Sequence, residues 1–138
     1  MAKSPLAPAQ FPALPNVAGV RFGTLAAGIK YQNRSDVMLA ELAPGTSIAG
    51  VFTQSATRSA AVLDCQKKLG LPAAGGAAIL VNSGNANAFT GHRGMASVEA
   101  LTKALSDQLE LSETRVFTSS TGVIGEPLPH EKISTRMP

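Results

Sequence analysis

The stretch AILVNSGNANAFTG at residues 78–91 constrains the fold more than any other part of the chain. Residues 77–82 (AAILVN) form a continuous apolar run bounded by Gly76 and Asn82, the pattern of a strand buried within a sheet. The next ten positions, 82–91, hold three asparagines, a serine, a threonine and two glycines. Asparagine amides satisfy a turning backbone, and glycine reaches positive φ, so the strand ends in a tightly bonded turn. A helix follows: Met95, Val98, Leu101, Leu105 and Leu109 recur at three- and four-residue steps between Gly91 and Leu109, with Thr90 or a neighbour as N-cap. Glu99 stands four residues before Lys103, the spacing of a supporting ion pair. RVFTSS at 115–120 predicts another strand, TGVIGEP a glycine-broken loop, and Pro129 opens a terminal helix.

Upstream the pattern is rich in short β-like runs: Val17–Phe22, Ile29–Tyr31, Val37–Leu42 and Ser47–Thr53. The Pro-Gly chemistry of LAPGT, at 42–46, predicts a hairpin between the last two. In Val37–Leu42 both alternating faces are mostly apolar, which predicts a sheet covered on both sides. RSAAVLDCQKKLG at 58–70 reads as a helix with Ala61, Val62, Cys65 and Leu69 on one face and Gly70 as its stop. Residues 1–16, rich in Pro and Ala, read as an extended arm, and 17–138 as one domain without repeat or internal boundary. The expected fold is α/β, a layered sandwich of mixed β-sheet flanked by helices.

Composition closes off several functions. An apolar fraction of 44% with 15% charged residues excludes a disordered chain. The twelve basic residues are scattered and only Lys67 and Lys68 adjoin, which argues against a nucleic-acid surface. Cys65 is the single cysteine, and no apolar run approaches the ~20 residues of a membrane span, so the expectation is a soluble, cytoplasmic chain. Its carboxylates are spread singly, without metal-ligand spacing, so no metal site is expected. No G-x-G-x-x-G or G-x-x-x-x-G-K-[ST] phosphate loop is present.

Both polar segments follow a buried strand, where sites in layered α/β folds gather. For Asn82, Asn85 and Asn87 two readings stand: caps of the turn, or the wall of a site. In TSSTGVIG the Thr121 hydroxyl and the Gly122 amide are adjacent donors able to meet one oxygen. An oxyanion hole needs that arrangement, each donor being worth on the order of 3 kcal/mol of transition-state stabilisation. His92 and His130 read as surface polar residues and Cys65 as a small core residue, leaving no visible nucleophile or base.

GIKYQNRSDVMLAEL, AGVFT, AAILVNSGNANAFTG and SSTGVIGEPLP, in this order, resemble the N-terminal part of the ornithine acetyltransferases (glutamate N-acetyltransferases) of arginine biosynthesis, from about Gly19 to Ile133. The resemblance implies a precursor that cleaves itself before a threonine. That threonine, at the N-terminus of the β chain, becomes the nucleophile, with its own α-amine as base. It implies acetyl transfer from N-acetylornithine to glutamate, no bound cofactor, and acetyl-CoA as a second donor in some members. It further implies a sandwich of β-sheets flanked by helices, and hetero-oligomers of α and β chains. Thr121 and Gly122 match the family's oxyanion-hole residues, while Phe89 stands where many relatives carry cysteine. The cleavage threonine has no match here, so the chain reads as a truncated α portion, inactive and poorly soluble without its β partner. Two other readings remain open: a self-processing N-terminal-nucleophile amidohydrolase or aminopeptidase, and an inactive fragment with an exposed sheet edge. Acceptor use separates the first two, because a hydrolase would release ornithine regardless of glutamate.

Overall fold

A computed structural model describes residues 5–10, 12–72 and 74–137. Strands β1 (Val20–Leu25), β2 (Val37–Leu42), β3 (Ala77–Asn85) and β4 (Val116–Val123) form one mixed sheet in that spatial order. The β1–β2 and β2–β3 pairs are antiparallel and the β3–β4 pair is parallel. The parallel pair is joined by helix α2 (Gly91–Leu109), the crossover that parallel strands require. Helices α1 (Ala60–Lys68) and α3 (Glu131–Ser134) complete the described elements, with a 3₁₀ turn at Glu113–Arg115.

The two strand faces differ. Leu25, Val37, Leu39, Ala78, Leu80, Val116 and Thr118 share one face by register. This face packs with Leu101 and Leu105 of α2 and Ile133 of α3 in the core. On the opposite face Met38, Ile79 and Val81 are half-buried, Ser119 and Thr121 are exposed, and Phe22 is 68% exposed. The apolar character of both faces is therefore real: Ala40, Ala77 and Phe117 of the second face are buried, and that face opens toward Phe22 at one edge and toward Ser119 and Thr121 at the end of β4. Helix α1 lies along the outer edge of β4, where Cys65 Sγ donates to Thr118 O (3.3 Å) and Lys68 Nζ to Val116 O (3.1 Å). Asp64 pairs with Lys68 at 2.7 Å, so the lysine stays neutralised while it covers the strand edge.

Helix boundaries follow the capping chemistry. The Ser59 hydroxyl accepts from Val62 N at the start of α1, and Gly70, at φ +84, turns the chain away after it. In α2 the polar Ser97, Thr102 and Ser106 are buried beside Val98, Leu101 and Leu105, their hydroxyls turned back to helix carbonyls. Lys103 pairs with Asp107 at 2.9 Å rather than with Glu99, a choice of the next turn that spacing cannot settle.

Two expected strands do not form. At 29–31, the Ala27 and Ile29 amides are taken by Asp36 Oδ1 and Oδ2, at 2.6 and 2.7 Å, so this loop is held by a carboxylate in place of a ladder. The 47–53 run cannot form a hairpin with β2, because β1 and β3 already occupy both edges of that strand. It is an extended connection, anchored where Arg115 Nη2 donates to Thr46 O (2.8 Å), with Val51 almost fully exposed. β1 begins at Val20 rather than Val17, after a turn closed by Val20 N to Val17 O with Gly19 at φ +81. The described part of the 1–16 arm carries no helix or strand, and residues 1–4 and 11 lie outside the described residues.

Candidate active site at the strand exits

β3 continues to Asn85 and β4 to Val123, each three residues past its expected end. Asn85 and the pair Thr121–Gly122 are thus strand residues, not loop residues. The extension works because β3 carries an irregularity at Gly84–Asn85 where both Thr121 and Val123 pair with Asn85. Gly84 adopts φ +99 and Gly122 φ +137, conformations open to glycine. A Cβ on Gly122 would stand 2.5 Å from Asn85 N and 2.7 Å from Gly84 O, so the two backbones touch there.

The three asparagines point inward and are the turn's fasteners. Asn82, 4% exposed, donates from Nδ2 to Asn85 O (2.9 Å) and accepts from Ser120 Oγ (2.6 Å). Asn85 accepts from Asn87 N (2.7 Å) and donates to Glu126 O and Pro127 O (2.9 and 3.3 Å), tying the turn to the segment after β4. Asn87, fully buried with φ +46, donates to Gly94 O (3.0 Å) and accepts from Thr90 Oγ1 (2.9 Å). Thr90 occupies the N-cap position of α2, but its hydroxyl is spent on Asn87 and caps no amide. Of the two readings for this cluster, the structural one holds for all three side chains.

Thr121 is different. Strand alternation places it on the open face of the sheet, opposite Ser120, and its hydroxyl has no hydrogen-bond partner among the described residues. Gly122 beside it is exposed. Lys30 crosses over Gly84 nearby and pairs with Glu126 at 3.4 Å. A cleft of about 240 Å³ between Arg58, Leu63, Phe89 and Met95 opens around the start of α2, and neither Thr121 nor Gly122 lines it. Cys65 is buried against β4, its thiol pKa pushed up by burial, and carries no site. His92 is exposed, His130 half-buried beside Glu131, and no cluster of three His, Cys, Asp or Glu side chains occurs among the described residues. Ser120 and Asp36 are the organising residues that spacing did not reveal. TSST offers hydroxyls on both faces, and Asp36 precedes β2 with no capping motif.

A mixed four-stranded sheet whose parallel pair is joined by a crossover helix defines a layered α/β fold. The chain belongs to the ArgJ family, whose model matches residues 21–138. It is 63% identical over 134 residues to the arginine biosynthesis bifunctional protein ArgJ of Ruegeria pomeroyi, covering 97% of this chain and 33% of that protein. The ArgJ of Agrobacterium fabrum is 50% identical, with 97% and 32% covered. The chain thus spans about a third of the length of the curated relatives it matches. Among solved structures, ArgJ from Bacillus halodurans superposes with a TM-score of 0.76 at 31% identity, over 86% of this chain and 61% of that one. Ornithine acetyltransferase from Mycobacterium tuberculosis, solved in complex with ornithine, gives 0.71 at 38% identity, over 86% and 63%. The layered α/β fold is that of these proteins. No helix of the described residues is long and apolar enough to cross a membrane.

Proposed function

We propose that this chain supplies the oxyanion hole of an acetyltransferase that moves an acetyl group from N-acetylornithine to glutamate. The observation that carries the reading is the unpartnered Thr121 hydroxyl beside exposed Gly122, on the sheet face opposite the core that α2 and α3 cover. A hydroxyl with no internal partner is free to donate to a developing negative oxygen. The remaining two thirds of the family's length provides the nucleophile, an N-terminal threonine released by self-cleavage, and the open sheet face receives the second layer. The threonine oxygen attacks the acetyl carbonyl and its proton passes to the α-amine. The carbonyl oxygen becomes anionic against Thr121 and Gly122, then expels ornithine, which takes the proton. The glutamate amine repeats the attack on the acetyl-enzyme and regenerates the threonine. No bound cofactor enters this scheme, and acetyl-CoA, which some members of the family accept, would enter it only as an alternative acetyl donor.

Support comes from family membership and from the named activity of the mycobacterial relative. The test uses the polypeptide that includes the family's remaining two thirds, assayed for ornithine release with and without glutamate. Thr121→Val is expected to lower turnover roughly a hundredfold or more while processing and assembly continue. Unchanged turnover would falsify the role of the hydroxyl. Release of ornithine that ignores glutamate would assign the chain to a hydrolase instead.

A further inference from the structure

The donor pair cannot act from a mobile strand end, and the strand end is held from behind. Alternation along β4 points Thr121 to the open face and Ser120 to the helical face, so the two side chains flank one backbone. Ser120 Oγ donates to Asn82 Oδ1 at 2.6 Å, and Asn82 Nδ2 donates to Asn85 O at 2.9 Å. One buried amide therefore joins β4 to the irregular stretch of β3. On the far side of Thr121, Gly122 abuts the Gly84–Asn85 peptide, and Val123 O accepts from Ala86 N at 2.8 Å. Every residue flanking Thr121 is fixed to β3, while the Thr121 hydroxyl itself is left without a partner.

We infer that Asn82, through Ser120, is the positioning residue for the Thr121–Gly122 donor pair, an inference that rests on the acetyltransferase reading. The chemistry selects asparagine. The position needs an acceptor for the Ser120 hydroxyl and a donor for the Asn85 carbonyl on one short side chain. Aspartate has only acceptors when ionised and would set a carboxylate against that carbonyl, and an aliphatic side chain has neither group. Misplacing a catalytic donor by about an ångström costs up to roughly a hundredfold in rate without a comparable loss of ground-state binding.

Ser120→Ala cuts the link with least disturbance, because Ser120 is half-buried whereas Asn82 is buried. In the polypeptide of full family length, Ser120→Ala is expected to lower kcat roughly tenfold or more, with KM for N-acetylornithine and the melting temperature nearly unchanged. Ser120→Thr, which keeps the hydroxyl, is expected to restore kcat. In the double variant Ser120→Ala, Thr121→Val only the Gly122 amide remains to be positioned, so its loss is expected to be smaller than the product of the two single losses. If Thr121→Val is slow but Ser120→Ala turns over normally, or if the two penalties multiply, the positioning role is wrong while the oxyanion hole stands. If Thr121→Val is itself harmless, the acetyltransferase reading falls, and this inference with it.

Discussion

Gly122→Ala puts one methyl group where two backbones already touch. The added Cβ would lie 2.5 Å from Asn85 N and 2.7 Å from Gly84 O, nearly an ångström inside ordinary contact, and neither atom belongs to a side chain that can rotate away. Relief requires β4 to part from β3 beside Thr121, straining the ladder there. Overpacking of this kind costs about 1–3 kcal/mol, and holding a non-glycine residue at φ +137 adds about 1–3 kcal/mol. Together these take away about 2–6 kcal/mol, a large share of the ~5–15 kcal/mol that stabilises an ordinary domain. Gly125→Ala is the matched control. Gly125 has φ +83 but nothing within 4 Å of its added Cβ, so only the conformational cost of about 1–2 kcal/mol applies. Urea titrations of both variants, compared at equal m-value, isolate the steric part. Equal midpoints for the two would refute the close approach of β3 to Gly122, and with it the geometry assigned to the donor pair.

Asp36→Asn replaces one of two carboxylate oxygens with a donor facing an amide, so it is expected to cost about 1–3 kcal/mol and to speed hydrogen exchange at Ala27 and Ile29 selectively. Protection unchanged at those two amides would show that another group holds the loop. Cys65 is expected to resist alkylation in the folded protein until pH rises above its ordinary 9.0, because burial raises the thiol pKa. The sign follows: the folded state favours the protonated thiol, so its contribution is full below the ordinary value and is lost as pH climbs through the raised one. Rapid modification of the folded protein at neutral pH would contradict this. Asp107→Asn, at an exposed end of α2, is expected to leave the unfolding midpoint within experimental scatter, and a clear shift would mean the Lys103 pair is not a solvated one.

The parts of this fold that could be read from the sequence are those where one interaction dominates. Helix α2 spans Gly91–Leu109 as its apolar period requires, and α1 stops at Gly70 because a left-handed residue is needed there. Reading failed where a remote partner decided the backbone. Ile29 is apolar and stands two residues before Tyr31, yet its amide belongs to Asp36; the 47–53 run has strand composition, yet the sheet offers β2 no free edge. The polar exit of β4 was legible as a place, and the orientation of its hydroxyls was not. Period-two reasoning needs contrast between faces, and Thr118, Ser119, Ser120 and Thr121 are all hydroxyl residues although Thr118 is buried, Ser120 half-buried and the other two exposed. Only pairing with β3 fixes which of them faces the helices and which faces outward. The asparagines mislead in the opposite sense: their number suggests a binding wall, but each is consumed in holding the turn. An irregular strand end leaves backbone groups that the ladder does not pair, and satisfying them explains why so many buried amides crowd the exit of β3.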